Sequence, residues 1–280
     1  MRALRLAGST LGACFVLAAT AFALETRAVA IVTQVQGAVF YRTSITLSNG
    51  NPSITTPVVM FFSYRSPVDG TFQVATLNLS PALGPHRVRF LDDMVQAFKN
   101  AGAIRAQDAS ANLFGTLLVD FEALDIRAET AAVARTYSPA PGGGTLGIAY
   151  PGRCFCETGS LSRVLGSARG GVFGNDGSTR ANLGIVNEGF GPTDVRVTYY
   201  DGETGVQLKQ FLLSTAAGHD LEENEVFQLN NIFNDSAIPS TVHTLVVQVE
   251  AVIADVFVSA YVVQLDNTTN DGSFFFLEEE

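Results

Sequence analysis

Two stretches of this chain, 138 positions apart, carry the same pattern of residues. Residues 41–49, Tyr-Arg-Thr-Ser-Ile-Thr-Leu-Ser-Asn, lie over residues 179–187, Thr-Arg-Ala-Asn-Leu-Gly-Ile-Val-Asn, and the arginine and final asparagine match. At the same offset, residues 91–95 lie over residues 229–233. Self-similarity at a fixed register is the mark of a repeated structural unit. The chain is therefore predicted to fold as two related units.

The two copies differ by an insertion. Beyond residue 115 the match resumes at an offset of 128 or 129, so that residues 117–119 lie over residues 245–247. The first copy therefore carries about ten extra residues within residues 99–115. We expect this insertion, and the turn at residues 266–278, to be the first places to look for function.

Both copies show the alternation that is typical of β-strands. Val195, Val197 and Tyr199 alternate with polar residues, and residues 245–253 continue a period of two. Turn-forming residues separate the apolar runs at the intervals found in β-sandwiches. Helical spacing is confined to one short segment per copy: Leu91, Met94, Val95 and Phe98 in the first, and residues 229–233 as the counterpart in the second. The predicted fold class is all-β, with two tandem sandwiches.

The first residues of the chain have the pattern of a signal peptide. Arg2 and Arg5 precede an uncharged apolar run, residues 11–24, which contains the small-x-small site Ala21-Phe22-Ala23. We expect cleavage after residue 23; an uncleaved anchor and lipoprotein processing at Cys14 are the alternatives. The predicted organisation is a signal peptide at 1–23, a sandwich at 24–150, a linker at 151–177 with or without one strand, and a sandwich at 178–280. No later segment is apolar enough for a stable membrane span after cleavage, and the protein is expected to be secreted.

The charge of the chain limits its partners. Loss of residues 1–23 would leave 15 Lys and Arg residues against 27 Asp and Glu residues. An acidic surface disfavours nucleic acid and anionic lipid, so no nucleic-acid partner is expected. The unknown partner is expected to be a protein or a glycan.

Two cysteines remain after the signal peptide, Cys154 and Cys156. The exported location permits a disulfide between them, but residues two apart in an extended segment lie near the upper limit of separation for that bond. A structural or incidental role, redox chemistry, metal binding and pairing between molecules stay open.

The segment 185–200, in which an apolar strand ends in Asn-x-Gly and a valine-rich strand follows, resembles the hairpin of bacterial immunoglobulin-like, adhesion-related domains. Residues 180–187 and 260–267, the latter leading to Asp271 and Phe274, are similar to a group of uncharacterised secreted bacterial proteins built from such tandem sandwiches. The resemblance covers both copies, from about residue 28 to residue 280. It implies two tandem immunoglobulin-like β-sandwich domains related by internal duplication, and it implies no activity.

No residue pattern indicates an active site. His86, His219 and His243 lie in no recognised nucleophile or metal-ligand spacing, so no catalytic residue is assigned. Residues 142–147 match G-x-G-x-x-G, but the residues that follow cannot open the helix that a dinucleotide site needs, so a glycine-rich hairpin is predicted and no cofactor is assigned.

Oxygen-bearing side chains near the turn at residues 266–271 make a weak calcium candidate. Asp266, Asn267 and Asp271 are the residue types that calcium requires, although the same sequence suits an Asx turn. The carboxylates at residues 222–225 and 278–280 are predicted to form solvated edges.

The function expected from sequence is that of a non-catalytic exported structural or interaction protein, adhesion-like, at the cell envelope or outside it. The alternatives are a glycan- or calcium-binding β-sandwich module and, less favoured, a secreted hydrolase.

Overall fold

The computed structural model describes residues 25–37, 40–122, 129–140, 142–154, 167–173, 177–189, 191–253, 258–269 and 272–279. The signal peptide at 1–23 lies outside these ranges, as do Cys156, Asp271 and part of the predicted linker. Within them, no helix has the length and apolar character needed to cross a bilayer. The described residues are mostly β, with antiparallel sheets and two α-helices among them.

Residues 25–154, called here the first half, form one continuous antiparallel sheet that folds over its own core. The order of pairing is β4-β3-β6-β1-β2-β7-β8, with β5 on β2 and β9 on β1. The sheet has two layers, one on each side of the core, and β1 joins them. Most of β1 pairs with β6 in one layer, and its last two residues pair with β2 in the other. The strands are β1 (Glu25–Val35), β2 (Tyr41–Asn49), β3 (Thr56–Arg65), β4 (Phe72–Leu83), β5 (Arg87–Leu91), β6 (Leu113–Phe121), β7 (Thr130–Pro139), β8 (Thr145–Pro151) and β9 (Arg153–Cys154).

Residues 167–279, called here the second half, form two sheets. One has the order β13-β12-β15-β10-β18 and the other β14-β11-β16-β17. The strands are β10 (Ser167–Phe173), β11 (Thr179–Asn187), β12 (Val195–Asp201), β13 (Gln207–Leu212), β14 (Val226–Leu229), β15 (Thr244–Ala251), β16 (Val258–Asp266), β17 (Gly272–Phe276) and β18 (Glu278–Glu279). Residues 167–173 of the predicted linker thus belong to a sheet, between β15 and β18.

The two halves have the same order of strand pairing. Adding nine to each strand number converts the series 4-3-6-1-9 into 13-12-15-10-18 and the series 5-2-7-8 into 14-11-16-17. The registers also agree: Ile45 pairs with Leu91 and Ala134, and Leu183 pairs with Leu229 and Val262. The pairs on β2 and β5 keep the offset of 138 seen in the sequence. For β7 and β16 the offset is 128, one of the two values that the sequence allowed after the insertion.

The segment 185–200 does not form the predicted hairpin. β11 pairs with β14 and β16, whereas β12 pairs with β13 and β15 in the other sheet. The Asn-x-Gly sequence is instead a corner between the two layers. Asn187 is fully buried, its amide donates to the carbonyl oxygens of Gly191 (2.8 Å) and Leu221 (3.0 Å), and its Oδ1 accepts from the backbone of Gly189.

Asn49 makes the same corner in the first half. Its amide donates to the carbonyl oxygens of Ile54 and Leu83, and its Oδ1 accepts from the backbone N–H of Asn51. The matched asparagines are therefore structural. A side chain with both a donor and an acceptor satisfies backbone groups that neither layer can pair at the crossing.

The short helix predicted for each copy is present only in the first as an α-helix. Asp93 caps the N-terminus of α1 (Met94–Asn100), and its side chain accepts from the backbone N–H of Gln96. The helix buries Met94, Val95 and Phe98. Its counterpart, Ile232–Asn234, is a single 3-10 turn. The insertion lengthens the first helix and adds a second turn at Ala106–Asp108. The second half has an α-helix that the sequence did not predict, α2 (Leu213–Ala217), directly after β13.

Asn187→Asp is expected to lower the free energy of unfolding by about 2–4 kcal/mol at pH 7, because a carboxylate would face two carbonyl oxygens with no proton to donate. Asn49→Asp should have the same sign, and the exposed Asn234→Asp serves as the control. Urea unfolding measures the difference. A loss below about 0.5 kcal/mol for both buried positions would contradict this role.

Asp120 on β6 gives the fold a predictable pH dependence. Its side chain is 6 % exposed, Oδ1 has no hydrogen-bond partner in the described structure, and burial, with a contribution from Glu122, raises its pKa to about 6. The folded protein therefore holds this proton more tightly than the unfolded chain, whose aspartate pKa is about 3.9. Stability must fall as the pH rises from about 4 to 6 and stay reduced above that window.

We expect Asp120→Asn to raise the free energy of unfolding by about 1–3 kcal/mol at pH 8 and by much less at pH 4. Urea unfolding at the two pH values tests this, with the exposed Asp220→Asn as the control. An equal effect of Asp120→Asn at both pH values would show that the buried charge is not the cause.

Candidate functional site: the seam between the two halves

The outer face of the sheet β14-β11-β16-β17 packs against the first half, and we call this contact the seam. Val186, Val226, Tyr261 and Val263 of the second half are buried in the same apolar cluster as the core of the first half. Ile148 and Tyr150 on β8 meet them from the other side. The second half keeps a separate core between its own two sheets. The two halves are thus joined by packed side chains as well as by the chain.

Tyr261 occupies the centre of the seam because Gly184 faces it. The two residues are paired across β11 and β16, and a Cβ added to Gly184 would lie 1.7 Å from Cζ of the Tyr261 ring. The ring is fully buried, and its hydroxyl has no hydrogen-bond partner in the described structure. Burial raises the pKa of Tyr261 well above its ordinary value. The ring also lies 5.3 Å from Phe274, which stands edge-on to Tyr150 at 4.7 Å.

An ion pair closes one end of the seam. The Arg65 guanidinium, at the end of β3, donates from Nε and Nη2 to the two oxygens of Glu225 at 2.7 Å each. Glu225 is 4 % exposed and also accepts from the backbone N–H of Glu222. The hydrogen bond to this carboxylate raises the pKa of Arg65. The prediction of a solvated carboxylate edge at residues 222–225 is wrong for Glu225, since an arginine distant in sequence makes its burial favourable.

Two clefts lie along the seam, one on each side of Gln228 and Asn230. The first, of about 500 Å³, contains Arg65, His219 and Glu225. His219 Nδ1 lies 3.1 Å from Nη2 of Arg65 and 2.7 Å from the carbonyl oxygen of Asp220. The charged groups of this cleft are held by one another. The second cleft, of about 440 Å³, is lined by apolar and aromatic residues and by amide and guanidinium groups; its lining includes Tyr41, Phe114, Tyr150, Arg180, Asn182 and Leu265.

The calcium candidates are engaged in turn contacts. Asp266 Oδ1 accepts from the backbone N–H groups of Thr268 (2.8 Å) and Thr269 (2.7 Å), which lowers the pKa of the Asp266 carboxyl. Asn267 Oδ1 accepts from the Arg180 guanidinium. This is the geometry of an Asx turn. Asp271 lies outside the described residues, and the ranges that are described contain no group of three His, Cys, Asp or Glu residues placed to hold a metal. Calcium binding remains a prediction.

The other sequence motifs are located as follows. Residues 142–144 have positive φ angles, 91°, 102° and 81°, in the turn between β7 and β8, so the glycine-rich hairpin is present.

Cys154 ends β9 and pairs through its backbone with Arg27. Cys156 is outside the described residues, and a disulfide between the two stays a prediction. His86 and His243 are exposed, and only His219 lies at the seam.

Sequence analysis did not find the seam. A signal was present, because the run Phe274–Leu277 is apolar at every position and alternation within one buried face does not account for it. The structure shows both uses: Phe274 and Phe276 pack at the seam, and Phe275 and Leu277 pack in the core of the second half. The glycine opposite a tyrosine in neighbouring strands was a second signal, but it becomes visible only once the strand register is known.

The first half leaves an apolar sheet face open. Phe90 on β5 and Val133 on β7 both pair with Thr46 on β2, so they lie in one row across three strands. Phe90 is 59 % exposed, Val133 is 42 % exposed, and Val88, two residues before Phe90, is 66 % exposed. This surface, called here the open face, lies on the side of the sheet away from the core.

No protein-family model matches this chain, and no curated protein matches it. Among solved structures, a presumed secreted protein from Parabacteroides distasonis is 13 % identical, with 98 % of this chain and 84 % of that chain covered and a TM-score of 0.20. A lectin from Pleurotus ostreatus, in its apo form, is 10 % identical, with 91 % and 75 % covered and a TM-score of 0.18. Scores of this size carry no argument about fold or function.

Substitutions at Gly184 and Tyr261 should reveal how the seam is packed. Tyr261→Phe is expected to leave stability unchanged or raise it by about 1 kcal/mol, because it removes a buried hydroxyl without a partner. Tyr261→Ala should cost about 3–5 kcal/mol through the cavity that it leaves. Gly184→Ala should also be strongly destabilising, since the new methyl group meets the ring.

The decisive measurement is the double variant. Gly184→Ala should cost less in the Tyr261→Ala background than in the wild type, with a coupling of about 1–3 kcal/mol in urea unfolding. Additive losses would mean that the ring does not lie over Gly184.

Proposed function

We propose that this chain is an exported, non-catalytic interaction protein of adhesion-like type, which acts at the cell envelope or in the extracellular space. The observation that carries the proposal is the open face, where Val88, Phe90 and Val133 expose apolar side chains in register on a rigid sheet. Contiguous apolar surface on an exported protein marks a contact site for a partner. The signal-peptide pattern at residues 1–23 supports export.

The fold part of the proposal is that residues 24–150 and 178–280 are diverged copies of one immunoglobulin-like sandwich domain. The equal order of strand pairing and the matched corners at Asn49 and Asn187 support the duplication. The likeness to immunoglobulin domains is one of layered architecture. In those domains the first strand lies beside the second, whereas β1 here lies mainly along β6.

The absence of catalysis is supported by how the polar groups of the seam are used. Arg65, Glu225 and His219 contact one another across the two halves, which is the arrangement of a structural clamp. A general base or nucleophile needs a free position to meet a substrate. The clamp joins the first half to the second at one end of the seam.

A glycan ligand is the second candidate. The lining of the 440 Å³ cleft includes Tyr41 and Tyr150 together with Arg180 and Asn182. Aromatic rings facing amide and guanidinium donors are the groups with which proteins bind sugars, through stacking and hydrogen bonds. A glycan array with the mature protein tests this; binding that Asn182→Ala and Tyr41→Ala leave unchanged would exclude the cleft as the site.

The proposal predicts that the mature chain binds to envelope fractions of its own cells through the open face. The triple variant Val88→Thr, Phe90→Thr, Val133→Thr should reduce co-sedimentation with those fractions by at least about tenfold, the equivalent of about 1.4 kcal/mol. A matched control is Val74→Thr with Val252→Thr, which changes valines of 56 % and 45 % exposure elsewhere.

A second arm tests catalysis. The mature protein should turn over no member of a panel of glycoside, ester and peptide substrates. Turnover that is abolished by His219→Ala or Glu225→Gln, in a protein that still folds, would contradict the proposal. Co-sedimentation unchanged in the triple variant would contradict the role of the open face.

A further inference from the structure

The open face of the first half corresponds, residue by residue, to the surface that the second half uses at the seam. In the second half, the row Gln228–Gly184–Tyr261–Phe276 runs across β14, β11, β16 and β17. In the first half, the strand pairing puts Phe90–Thr46–Val133–Pro151 at the same places. Val88 likewise takes the place of Val226. One copy of this surface is buried and the other is exposed.

The receiving side of the seam also has a counterpart. The first half receives the second with Ile148 and Tyr150 on β8 and with the ends of β3 and β6. At those ends Ser63 pairs with Thr116, and the Thr116 hydroxyl donates to the carbonyl oxygen of Asn224. In the second half the same places on β12 and β15 are taken by Tyr200 and Val246, which pair with each other.

The match between β3 and β12 is set by their starting points. Thr56 pairs with Leu83 just before β3 leaves the corner, and Thr193 forms a bridge with Leu221 just before β12. From there Val58 pairs with Phe121, and Val195 pairs with Ala251, which sets the offset between β6 and β15 at 130. The sequence match of residues 117–119 with residues 245–247 is therefore wrong by two residues. Tyr200 and Val246 are half-buried and lie on the side of their sheet away from the core of the second half.

Charge indicates what occupies the open face. Residues 25–154 hold ten Lys and Arg residues against nine Asp and Glu residues, whereas residues 155–280 hold five against eighteen. Two second halves therefore repel each other, and a first half is the electrostatically favoured neighbour of a second half.

The charged residues of the seam have counterparts of opposite charge on the two surfaces that remain exposed. The position of Glu225 corresponds to Arg87 on β5, which is exposed, because Asn49 pairs with Arg87 as Asn187 bonds to Glu225 through the backbone. The position of Arg65, at the end of β3, corresponds to Gly202 in the turn after β12, and the next residue, Glu203, is exposed. A contact built like the seam would bring Arg87 to the turn that carries Glu203.

We infer that the partner of the open face is a second copy of this chain, whose second half receives it as the first half receives the second within one molecule. This rests on the proposed function and names its partner. The contact is heterologous, since the two surfaces differ, so it extends head to tail and each added molecule leaves the same two surfaces free.

Sedimentation velocity of the mature chain from about 1 to 100 μM tests the inference. The weight-average sedimentation coefficient should rise without reaching the plateau of a closed dimer. Phe90→Asp should weaken the association by at least about tenfold, and Val74→Asp, on another exposed strand position, should leave it unchanged. Circular dichroism and the urea midpoint confirm that each variant is folded.

Exchange of charge tests the register. Arg87→Glu and Glu203→Arg should each weaken the association about three- to tenfold, and the double variant should restore it. A chain that stays monomeric throughout, a closed dimer that Phe90→Asp does not affect, or a double exchange without recovery would overturn the inference. If the chain stays monomeric but still binds the envelope through the open face, the further inference fails and the proposed function stands. If the triple variant Val88→Thr, Phe90→Thr, Val133→Thr also binds the envelope normally, the further inference and the proposed function both fail.

Discussion

The Tyr261 ring over Gly184 is the contact on which the arrangement of this molecule depends. A β-sheet with one buried face would ordinarily leave its other face to solvent, and the ring makes that second face a packing surface. It does so because a glycine in the neighbouring strand leaves room for it. Val226 and Val263 complete an apolar surface that joins the core of the first half. The Arg65–Glu225 pair lies at the edge of this surface and fixes the orientation of the two halves there, because the guanidinium makes two hydrogen bonds to one carboxylate.

The same strand order in both halves yields two different surfaces because the side chains on this face differ. Where the second half has Gly184 and Tyr261, the first half has Thr46 and Val133, and Phe90 stands where the second half has Gln228. The first face cannot form the same interlocked contact within the chain, and it remains exposed. Two halves with the same strand order that dock once through a pair of unlike surfaces leave one of each unused. This asymmetry connects the fold to the proposed function.

Much of the fold could be predicted from the sequence because strand alternation and a repeat in register are local signals. The offset of 138 at residues 41–49 and 91–95 is the offset of the strand pairs themselves. The hairpin predicted at residues 185–200 was wrong because an apolar strand that ends in Asn-x-Gly can turn within a sheet or cross between layers, and the choice depends on distant carbonyl groups that Asn187 reaches. The seam was missed for the same reason: Glu225 looks solvated until Arg65, 160 positions away, is placed beside it.

The central claim is that the seam makes the two halves one structural unit. Equilibrium urea unfolding of the mature chain, followed by far-UV circular dichroism and by tyrosine fluorescence, which is available because the chain has seven Tyr and no Trp, tests it directly. The account predicts one transition at which both signals coincide, because neither half can unfold without exposing the apolar surface buried between them. Two separated transitions, each carrying part of the signal, would contradict it.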